Sequence, residues 1–261
     1  MSFKDDAGFF VFKELSDQER CGYMRLSDVL GVRRNLLRRR ILTLGVIITG
    51  ALSIAFTLIT FYGQNAGNFV MTVDQDLARR GIALSETIDF EAPTTRLMTN
   101  PINEARDLTY SWLKLDEVIE TDGQYYDPDY EYIAYTFYIR NTGFETVDVH
   151  YHIRVSDVYR NLDEAVRFLV IEDDTHYRMY QKPDQLRDGE LPEYFLLPDP
   201  FYFHTNSTVM RHVIENFRPG QTKKFSIVIW LEGQDPDTND DVLGGMMKAH
   251  MNFTIKLDEN S

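Results

Sequence analysis

An uninterrupted apolar segment, Ile41–Tyr62 (ILTLGVIITGALSIAFTLITFY), constrains this chain more than any other feature. It contains 22 residues and no charged side chain. As an α-helix with a rise of about 1.5 Å per residue it would span roughly 33 Å, which exceeds the roughly 30 Å hydrocarbon core of a bilayer. A buried core helix is the alternative, but an all-round apolar surface beside a dense cationic cluster argues against it. The segment therefore predicts a transmembrane helix.

The charges that flank this segment predict its orientation. Five arginines precede it, at positions 33, 34, 38, 39 and 40, whereas the first cation after it is Arg79. Cytoplasmic flanks are enriched in Lys and Arg, so the N-terminus is expected in the cytoplasm and the C-terminal part outside. A cleaved signal peptide is the competing interpretation. Its apolar region is shorter, roughly 7–15 residues, and cleavage after Ala66 would put Gln64 where a small residue is preferred. An uncleaved single-pass anchor in the plasma membrane is favoured.

This placement divides the chain into a cytoplasmic tail (residues 1–40), a transmembrane helix (41–62) and an extracellular domain (67–261). Of the 27 Lys and Arg residues nine precede Gly63, and of the 41 Asp and Glu residues six do, so the net charge is +3 before Gly63 and −17 from there on. An acidic exterior domain argues against nucleic acid as a partner, because phosphate binding needs clustered cations. The single cysteine, Cys21, falls in the tail, so the exterior domain has no disulfide and relies on its core.

Alternating apolar and polar residues predict that the exterior domain is all-β. Segment 247–257 alternates throughout, and so does segment 147–156, which follows the aromatic strand Tyr130–Arg140 and the turn Asn141–Glu145 as the second half of a hairpin. Further strands are predicted at 67–74, 82–88, 168–172, 176–181, 208–214 and 222–231. Roughly eight or more short strands with little helix predict a β-sandwich of the jelly-roll type.

Four stretches of the sequence are similar to one group of proteins. They are Phe61–Asp74 (FYGQNAGNFVMTVD), Ile133–Val149 (IAYTFYIRNTGFETVDV), Leu162–Val170 (LDEAVRFLV) and Phe225–Gly245 (FSIVIWLEGQDPDTNDDVLGG). On these stretches the chain resembles the TasA/camelysin-like exported β-sandwich proteins of Gram-positive bacteria. The resemblance implies a jelly-roll domain at the cell surface or in the extracellular matrix. Some members of that group build biofilm fibres, and others carry a protease label.

The chain departs from the secreted members of that group in two respects. Its tail before the apolar segment is long, and the segment is predicted to stay attached, which puts release into a fibre in doubt. In the acidic loop, Thr238 stands where many relatives are expected to have a cysteine.

That acidic loop is the main candidate for a metal site. Its candidate ligands are Glu232, Asp235, Asp237, Asn239 and Asp241. The D-x-D-x-N spacing matches the start of an EF-hand loop, but the later positions that need Gly and Glu are Asp240 and Met246 here. An irregular Ca²⁺ site is one interpretation. A solvated turn that caps its own backbone is the other.

Two histidines form a second candidate site. His150 and His152 are two residues apart on a predicted strand, so their side chains share a face. With a third ligand they could hold Zn²⁺ or Cu²⁺, and ordinary exposed histidines are the alternative. The chain contains no H-E-x-x-H, G-x-S-x-G or P-loop pattern, and its exterior domain has no cysteine nucleophile. A non-enzymatic protein is therefore expected.

An aromatic-rich run offers a third candidate surface. Its tyrosines are Tyr125, Tyr126, Tyr130, Tyr132, Tyr135 and Tyr138. They could form a platform for a carbohydrate or a protein partner, whereas alternation along a strand would divide them between the core and a sheet face.

Together these features predict an adhesive, structural or matrix-assembly protein that is held in the membrane by Ile41–Tyr62. Self-association is expected by addition of the extended segment Gly67–Asp74 to the open sheet edge of another copy. A cell-surface receptor module that depends on Ca²⁺ or carbohydrate is the alternative from a different class. A surface protease, suggested by kinship alone, is the third.

Overall fold

The computed structural model describes residues 39–57, 68–102, 105–183 and 199–255. The predicted tail up to residue 38, the end of the predicted membrane segment (58–62) and the candidate cleavage site lie outside the described residues, as does most of the proline-rich segment 183–200. The chain divides into two compact units, Met1–Gln64 and Asn65–Ser261.

The first unit contains the helix Arg39–Thr57, which is long and apolar enough to cross a membrane. At about 1.5 Å per residue its length is roughly 28 Å, close to the thickness of a hydrocarbon core. The hydroxyls of Thr43, Thr49 and Thr57 each donate at 2.8 Å to the carbonyl four residues earlier. These polar side chains therefore find partners within the helix itself, as an apolar environment requires.

The second unit is built from two β-sheets, which confirms the prediction of a β-rich domain. One sheet has five strands in the order β10-β6-β12-β1-β3, and the other has seven, in the order β2-β5-β11-β7-β8-β9 with β4 also paired to β5. The strands are β1 (Phe69–Val73), β2 (Ile82–Ser85), β3 (Arg96–Met98), β4 (Gly123–Gln124), β5 (Ile133–Asn141), β6 (Val147–Tyr159), β7 (Val166–Glu172), β8 (His176–Gln181), β9 (Phe201–Tyr202), β10 (Thr208–Phe217), β11 (Thr222–Leu231) and β12 (Met246–Thr254).

Short helical segments connect these strands. They are the α-helices Gln75–Arg79, Leu115–Glu120 and Leu162–Ala165 and the 3₁₀ turns Tyr110–Trp112 and Asp240–Val242. The first helix begins after Asp74, whose side chain accepts from the Asp76 amide and so satisfies one of the open N–H groups of the first turn. The chain then leaves the helix through Gly81, at a φ of +91°.

The main core lies between the two sheets. On β6 and β12 every second residue is buried, so each strand turns one face to the core and the other outward. Phe137 and Phe225 stack at 5.5 Å across β5 and β11. Phe253 of β12, from the other sheet, meets both rings edge-on.

A second, smaller core covers the outer face of the seven-stranded sheet. The segment from Leu108 to Tyr132 packs its apolar side chains on outward-facing residues of this sheet, including Leu169 and Trp230. Both faces of the sheet are therefore buried. This explains why β5, β7 and β11 are nearly continuous apolar runs without the alternation of β6 and β12.

Two turns approach each other closely beside the main core. The Thr142 amide donates to the Gly81 carbonyl at 2.8 Å. A Cβ at Gly143 would lie 1.9 Å from the Arg80 carbonyl oxygen, so no residue larger than glycine fits there without movement of the backbone. The contact fixes the segment between β1 and β2 against the turn after β5.

Candidate functional site

The acidic loop follows β11 and folds back over the outer face of the seven-stranded sheet. Glu232 is fully buried, and Asp235 and Asp237 are nearly so. Asn239 is half-buried and Asp241 is exposed. The five candidate ligands of the sequence prediction therefore do not share one environment.

A buried arginine supplies the positive charge for this loop. Arg167 of β7 and Asp235 form an ion pair at 2.5 Å, and neither side chain is exposed. Beside them, Trp230 Nε1 donates to Glu232 Oε2 at 2.9 Å. A guanidinium thus lies against a carboxylate that the sequence prediction assigned to Ca²⁺. Mutual attraction offsets the large cost of removing both charges from water.

The side chains of Asp235, Thr238 and Asn239 also bind the backbone of the loop and its start. Asp235 Oδ1 accepts from the Asp237 amide at 2.7 Å, and Asn239 Oδ1 accepts from the Asp241 amide at 2.8 Å. Thr238 donates its hydroxyl to the Glu232 carbonyl at 2.6 Å. These are the local bonds by which Asp, Asn and Thr shape turns.

The geometry of the loop resembles that of a turn that caps its own backbone. Among the described residues, no group of three or more His, Cys, Asp or Glu side chains is placed to hold a metal ion. The Ca²⁺ site stays a prediction, and Arg167 is the residue that the sequence reasoning missed. Its signal is a lone cation within an otherwise apolar strand segment, Val166–Ile171.

The two predicted histidines lie on the outward face of β6, as their spacing indicated. His152 is nevertheless only 5% exposed, which differs from the expectation of ordinary exposed histidines. Burial, and after it the neighbouring His250, Arg154 and Arg211, lower the pKa of His152 to about 4. At neutral pH the ring is therefore uncharged although it is surrounded by cationic and titratable groups.

These neighbours belong to a basic face on the outside of the five-stranded sheet. It consists of Arg96, His152, Arg154, Arg211, Lys248 and His250. Strand pairing places Arg211 beside His152 and Arg154 beside His250. Burial and then Arg154 lower the pKa of His250 as well, while Asp157 opposes the shift. The face is cationic at neutral pH through its arginines and Lys248.

A polar network ties the two sheets together at one edge of the sandwich. Glu172 of β7 accepts from the Tyr151 hydroxyl of β6 and pairs with Arg178 of β8, both at 2.5 Å. Nearby, the Tyr180 hydroxyl and His212 Nε2 are 2.8 Å apart.

The pKa values in this network suit a structural bond better than proton transfer. Burial and then the Glu172 charge raise the pKa of Tyr151. Burial also raises the pKa of Tyr180, to about 12, and lowers that of His212. A phenol with a raised pKa is a poor acid at neutral pH. The network is therefore suited to hold the sheets together.

The aromatic run is divided between the interior and an open cleft. Tyr125, Tyr135 and Tyr138 are buried, whereas Tyr126 is 64% exposed. Tyr126, Tyr130 and Tyr132 line a cleft of about 340 Å³ together with Asn100, Gln124, Asp127 and Glu131. Trp112 stacks on Tyr130 at 5.4 Å and is half exposed. Aromatic faces beside amides and carboxylates are the groups that sugar rings contact, so part of the run remains available to a ligand.

No family model matches this chain, and no curated protein matches it. Two crystal structures of the β-glucosidase from Kluyveromyces marxianus, one of them in complex with glucose, are similar to it with a TM-score of 0.23 and identities of 11% and 14%. Each alignment covers 69% of this chain but only 17% and 16% of the β-glucosidase. Similarity at this level carries no argument about function.

Proposed function

We propose that this protein is a non-enzymatic, single-pass plasma-membrane protein that holds an acidic β-sandwich domain outside the cell for adhesion and assembly with further copies. The observation that carries the proposal is the position of β1, the first strand after the apolar helix. β1 lies between β12 and β3 and runs parallel to β12. No hairpin joins it to either neighbour, because β2 intervenes before β3 and β12 is the last strand described.

A strand inserted in this way can be exchanged between copies with its pairing unchanged, which is the basis of domain swapping. Phe69 and Met71 of β1 are fully buried in the main core. Each such side chain contributes roughly 1.5–3 kcal/mol by burial, so a domain without β1 has a strong tendency to accept the same strand from another copy. The predicted donor segment Gly67–Asp74 is then the linking element.

The open edge of β10 is a second acceptor for strand addition. Among the described strands, β10 pairs with β6 alone and is ten residues long. Its ladder is irregular between Thr208 and Met210 and again between Ile214 and Phe217. Such irregularities weaken unwanted edge pairing, so exchange of β1 is the favoured route and addition to β10 the lesser one.

The resemblance proposed from the sequence is consistent with the same function. The similarity to TasA/camelysin-like proteins joins a basic N-terminus and an export segment to a jelly-roll domain at the surface of Gram-positive bacteria. We propose that the two sheets here form such a jelly roll. We also propose the orientation that the arginine cluster predicts, with the β-domain outside.

A disulfide trap tests the exchange of β1. The Thr72 hydroxyl and Asn252 Oδ1 are hydrogen-bonded at 2.5 Å between paired positions of β1 and β12. Thr72→Cys and Asn252→Cys are introduced together into the full-length chain, with Cys21→Ser, and the protein is oxidised in its membrane. Exchange predicts disulfide-linked ladders of copies on a non-reducing gel.

The matched control joins Thr72→Cys to Lys248→Cys, which is four residues from position 252 along the same strand. Four residues span about 13 Å in a strand, too far for a disulfide, so this pair should give no specific product. If the Thr72–Asn252 pair closes within single chains alone at every density of protein in the membrane, exchange of β1 does not occur.

The aromatic cleft favours a second function, binding of a carbohydrate at the cell surface. Tyr126 and Trp112 offer exposed aromatic faces beside the polar groups of the cleft. We expect the full-length chain to be retained on insoluble polysaccharide and Tyr126→Ala with Trp112→Ala to weaken retention at least about tenfold, by loss of stacking. Tyr159→Ala, at an exposed tyrosine outside the cleft, is the control. Equal retention of all three proteins would remove this function.

A further inference from the structure

The basic face is unusual because it lies on a strongly acidic chain of net charge −14. Two cross-strand rows build its centre. One runs Arg211, His152, Asn252, Thr72, Arg96 across all five strands, and the next runs Thr208, Arg154, His250, Val70, Met98. Neither row contains a carboxylate. The outward-facing carboxylates Asp148, Asp157 and Glu215 lie towards the ends of their strands.

Two polar atoms in this face have no hydrogen-bond partner among the described residues. They are His152 Nδ1 and Arg211 Nε, both of which are buried. Buried polar atoms of a folded protein are normally paired, so these two nitrogens are exceptions, and they lie at the centre of the cationic surface. Arg96 is exposed and Arg154 half-exposed around them, and these two cations would attract an acidic partner, whereas Lys248 already pairs with Asp157 at 3.7 Å.

The opposite outer side of the sandwich has the complementary charge. Segment 107–131, which covers the seven-stranded sheet, exposes the carboxylates of Asp107, Asp116, Glu117, Glu120, Asp122, Asp129 and Glu131. Its one Lys or Arg residue is Lys114, which is held between Asp127 and Asp129 at 3.2 Å from each. We name this surface the acidic layer. It lies on one outer side of the sandwich and the basic face on the other.

We propose that the basic face of one copy docks on the acidic layer of the next, so that β-domains stack head to tail. The contact joins two different surfaces and leaves one of each free at the ends, and such heterologous contacts propagate into rows and do not close as dimers. The partner is a second copy of this chain because the chain itself supplies the complementary charge. The inference deepens the proposed self-assembly and rests on it. The contact uses the outward side of the five-stranded sheet, which includes β1, and does not require exchange of that strand.

The contact is expected to be weak in solution and effective in a membrane. Five strands spaced about 4.8 Å apart give a face roughly 20 Å wide, so the buried area is at the low end for a stable interface. Exposed charge pairs at its rim are screened by salt. Attachment of both copies to one bilayer raises their effective concentration, which compensates for low affinity.

Charge reversal with complementation tests the stacking. One full-length variant carries Arg154→Glu and Arg211→Glu in the basic face. Another carries Asp116→Lys and Glu120→Lys in the acidic layer. Association is measured by energy transfer between labelled chains in neutral vesicles, at about 50 mM and about 500 mM NaCl, because the Debye length shortens severalfold over this range. The matched control, Arg79→Glu with Arg218→Glu, changes the net charge equally at exposed positions outside both surfaces.

The proposal predicts that the wild type and the control associate at low salt and separate at high salt. Each reversed variant alone should associate at least tenfold more weakly, while an equal mixture of the two regains association, because the reversed surfaces are again complementary. Failure of the mixture to recover, with both variants folded by thermal melting, would overturn the stacking. So would binding of soluble polyphosphate to the basic face without any self-association, which would assign the face to an anionic polymer.

The Thr72–Asn252 disulfide separates this inference from strand exchange. A chain locked within itself by that bond retains both charged surfaces but cannot donate β1. Salt-dependent association of the locked chain supports stacking even if exchange fails. Loss of all association in the locked chain overturns stacking and leaves strand exchange in place.

Discussion

Arg167 and Asp235 form an ion pair at 2.5 Å in a part of the protein where neither side chain is exposed. Arg167 comes from β7, in the middle of the sheet, and Asp235 comes from the loop after β11. The pair therefore joins a rigid strand to a loop of seven residues that contains four aspartates, Asp235–Asp241. It fixes where that loop lies.

Removal of one member of this pair should be far more damaging than removal of both. Arg167→Met leaves a buried carboxylate without its cation, and we expect a loss of about 3–5 kcal/mol in the free energy of unfolding. Asp235→Asn keeps the oxygen that accepts from the Asp237 amide but removes the charge. The double variant should lose less than the sum of the single ones, as measured by urea unfolding. If the loss in the double variant equals the sum of the two single losses, the two groups are not coupled.

An exposed ion pair is the control for that cycle. Arg79 and Asp76 are 3.6 Å apart, with 76% and 68% of their side chains exposed. Arg79→Met and Asp76→Asn should each change stability by less than about 1 kcal/mol, because solvent screens the interaction.

The calcium hypothesis can be tested on the same loop. In the wild type, Asp235 is paired with Arg167, and we expect about 2 mM Ca²⁺ to leave the Tm of the protein almost unchanged. In Arg167→Met the carboxylates lose their internal cation, and Ca²⁺ should then raise the Tm measurably. Mg²⁺ at the same concentration controls for general screening. A clear Ca²⁺-specific rise in the wild type would instead establish the site predicted at Glu232, Asp235, Asp237, Asn239 and Asp241.

His152 should make the protein less stable in mild acid. Its pKa is about 4 in the folded protein, below the ordinary value of 6.5, because of burial and then of its cationic neighbours. Between these values the unfolded chain binds more protons than the folded one, so stability falls as the pH drops from about 6.5 towards about 4, by up to about 3 kcal/mol, and the loss ends below that range.

The variant His152→Gln isolates this effect from the other histidines. His212 and His250 also have lowered pKa values and add a dependence of the same sign. Urea unfolding of both proteins at about pH 7.5 and about pH 4.5 should show a smaller loss in the variant. Identical losses would mean that His152 does not titrate differently on folding.

Gly143→Ala should destabilise the contact between the two close turns. The added Cβ would meet the Arg80 carbonyl oxygen, and relief requires movement of backbone. We expect a loss of more than about 2 kcal/mol, as for other overpacked sites. Gly220→Ala is the matched control: its φ is +80° but nothing lies near its Cβ, so only the strain of about 1 kcal/mol applies. Comparable losses in both variants would show that the close approach is not tight.

The sequence predicted the strands with one buried face best. Alternation placed Val149, Tyr151 and Met251 in the core, and all three are buried there. One face of each strand is apolar and the other is polar, so apolar and polar residues alternate along the sequence with a period of two. The extended segment at β1 was predicted for the same reason, with its bounds within two residues.

For strands that are covered on both sides, the sequence pattern says less about which side chain faces which core. Tyr132 and Tyr135 belong to two different cores, and the run that contains them gave no indication of which tyrosine faces which. Leu113 is buried, whereas its neighbour Trp112 stacks on Tyr130 at the surface. These outcomes depend on which segment covers the sheet, and that contact is remote in sequence.

Neither the Arg167–Asp235 pair nor the basic face could be predicted, because both depend on contacts between residues that are remote in sequence. Arg167 lies in β7, and Asp235 follows it in the chain only after β8, β9, β10 and β11. The basic face arises only when β3, β6, β10 and β12 lie side by side.

The parallel alignment of β1 with β12 also determines how the domain responds to mechanical force. A force applied between the N-terminal end of β1 and the C-terminal end of β12 acts along the length of both strands. β1 has neighbours on both sides, with five paired positions towards β12 and three towards β3. Such a load shears these hydrogen bonds together, whereas a pull across the strand would break them one after another. The arrangement is that of a mechanical clamp, which would keep the domain folded under a load along these strands.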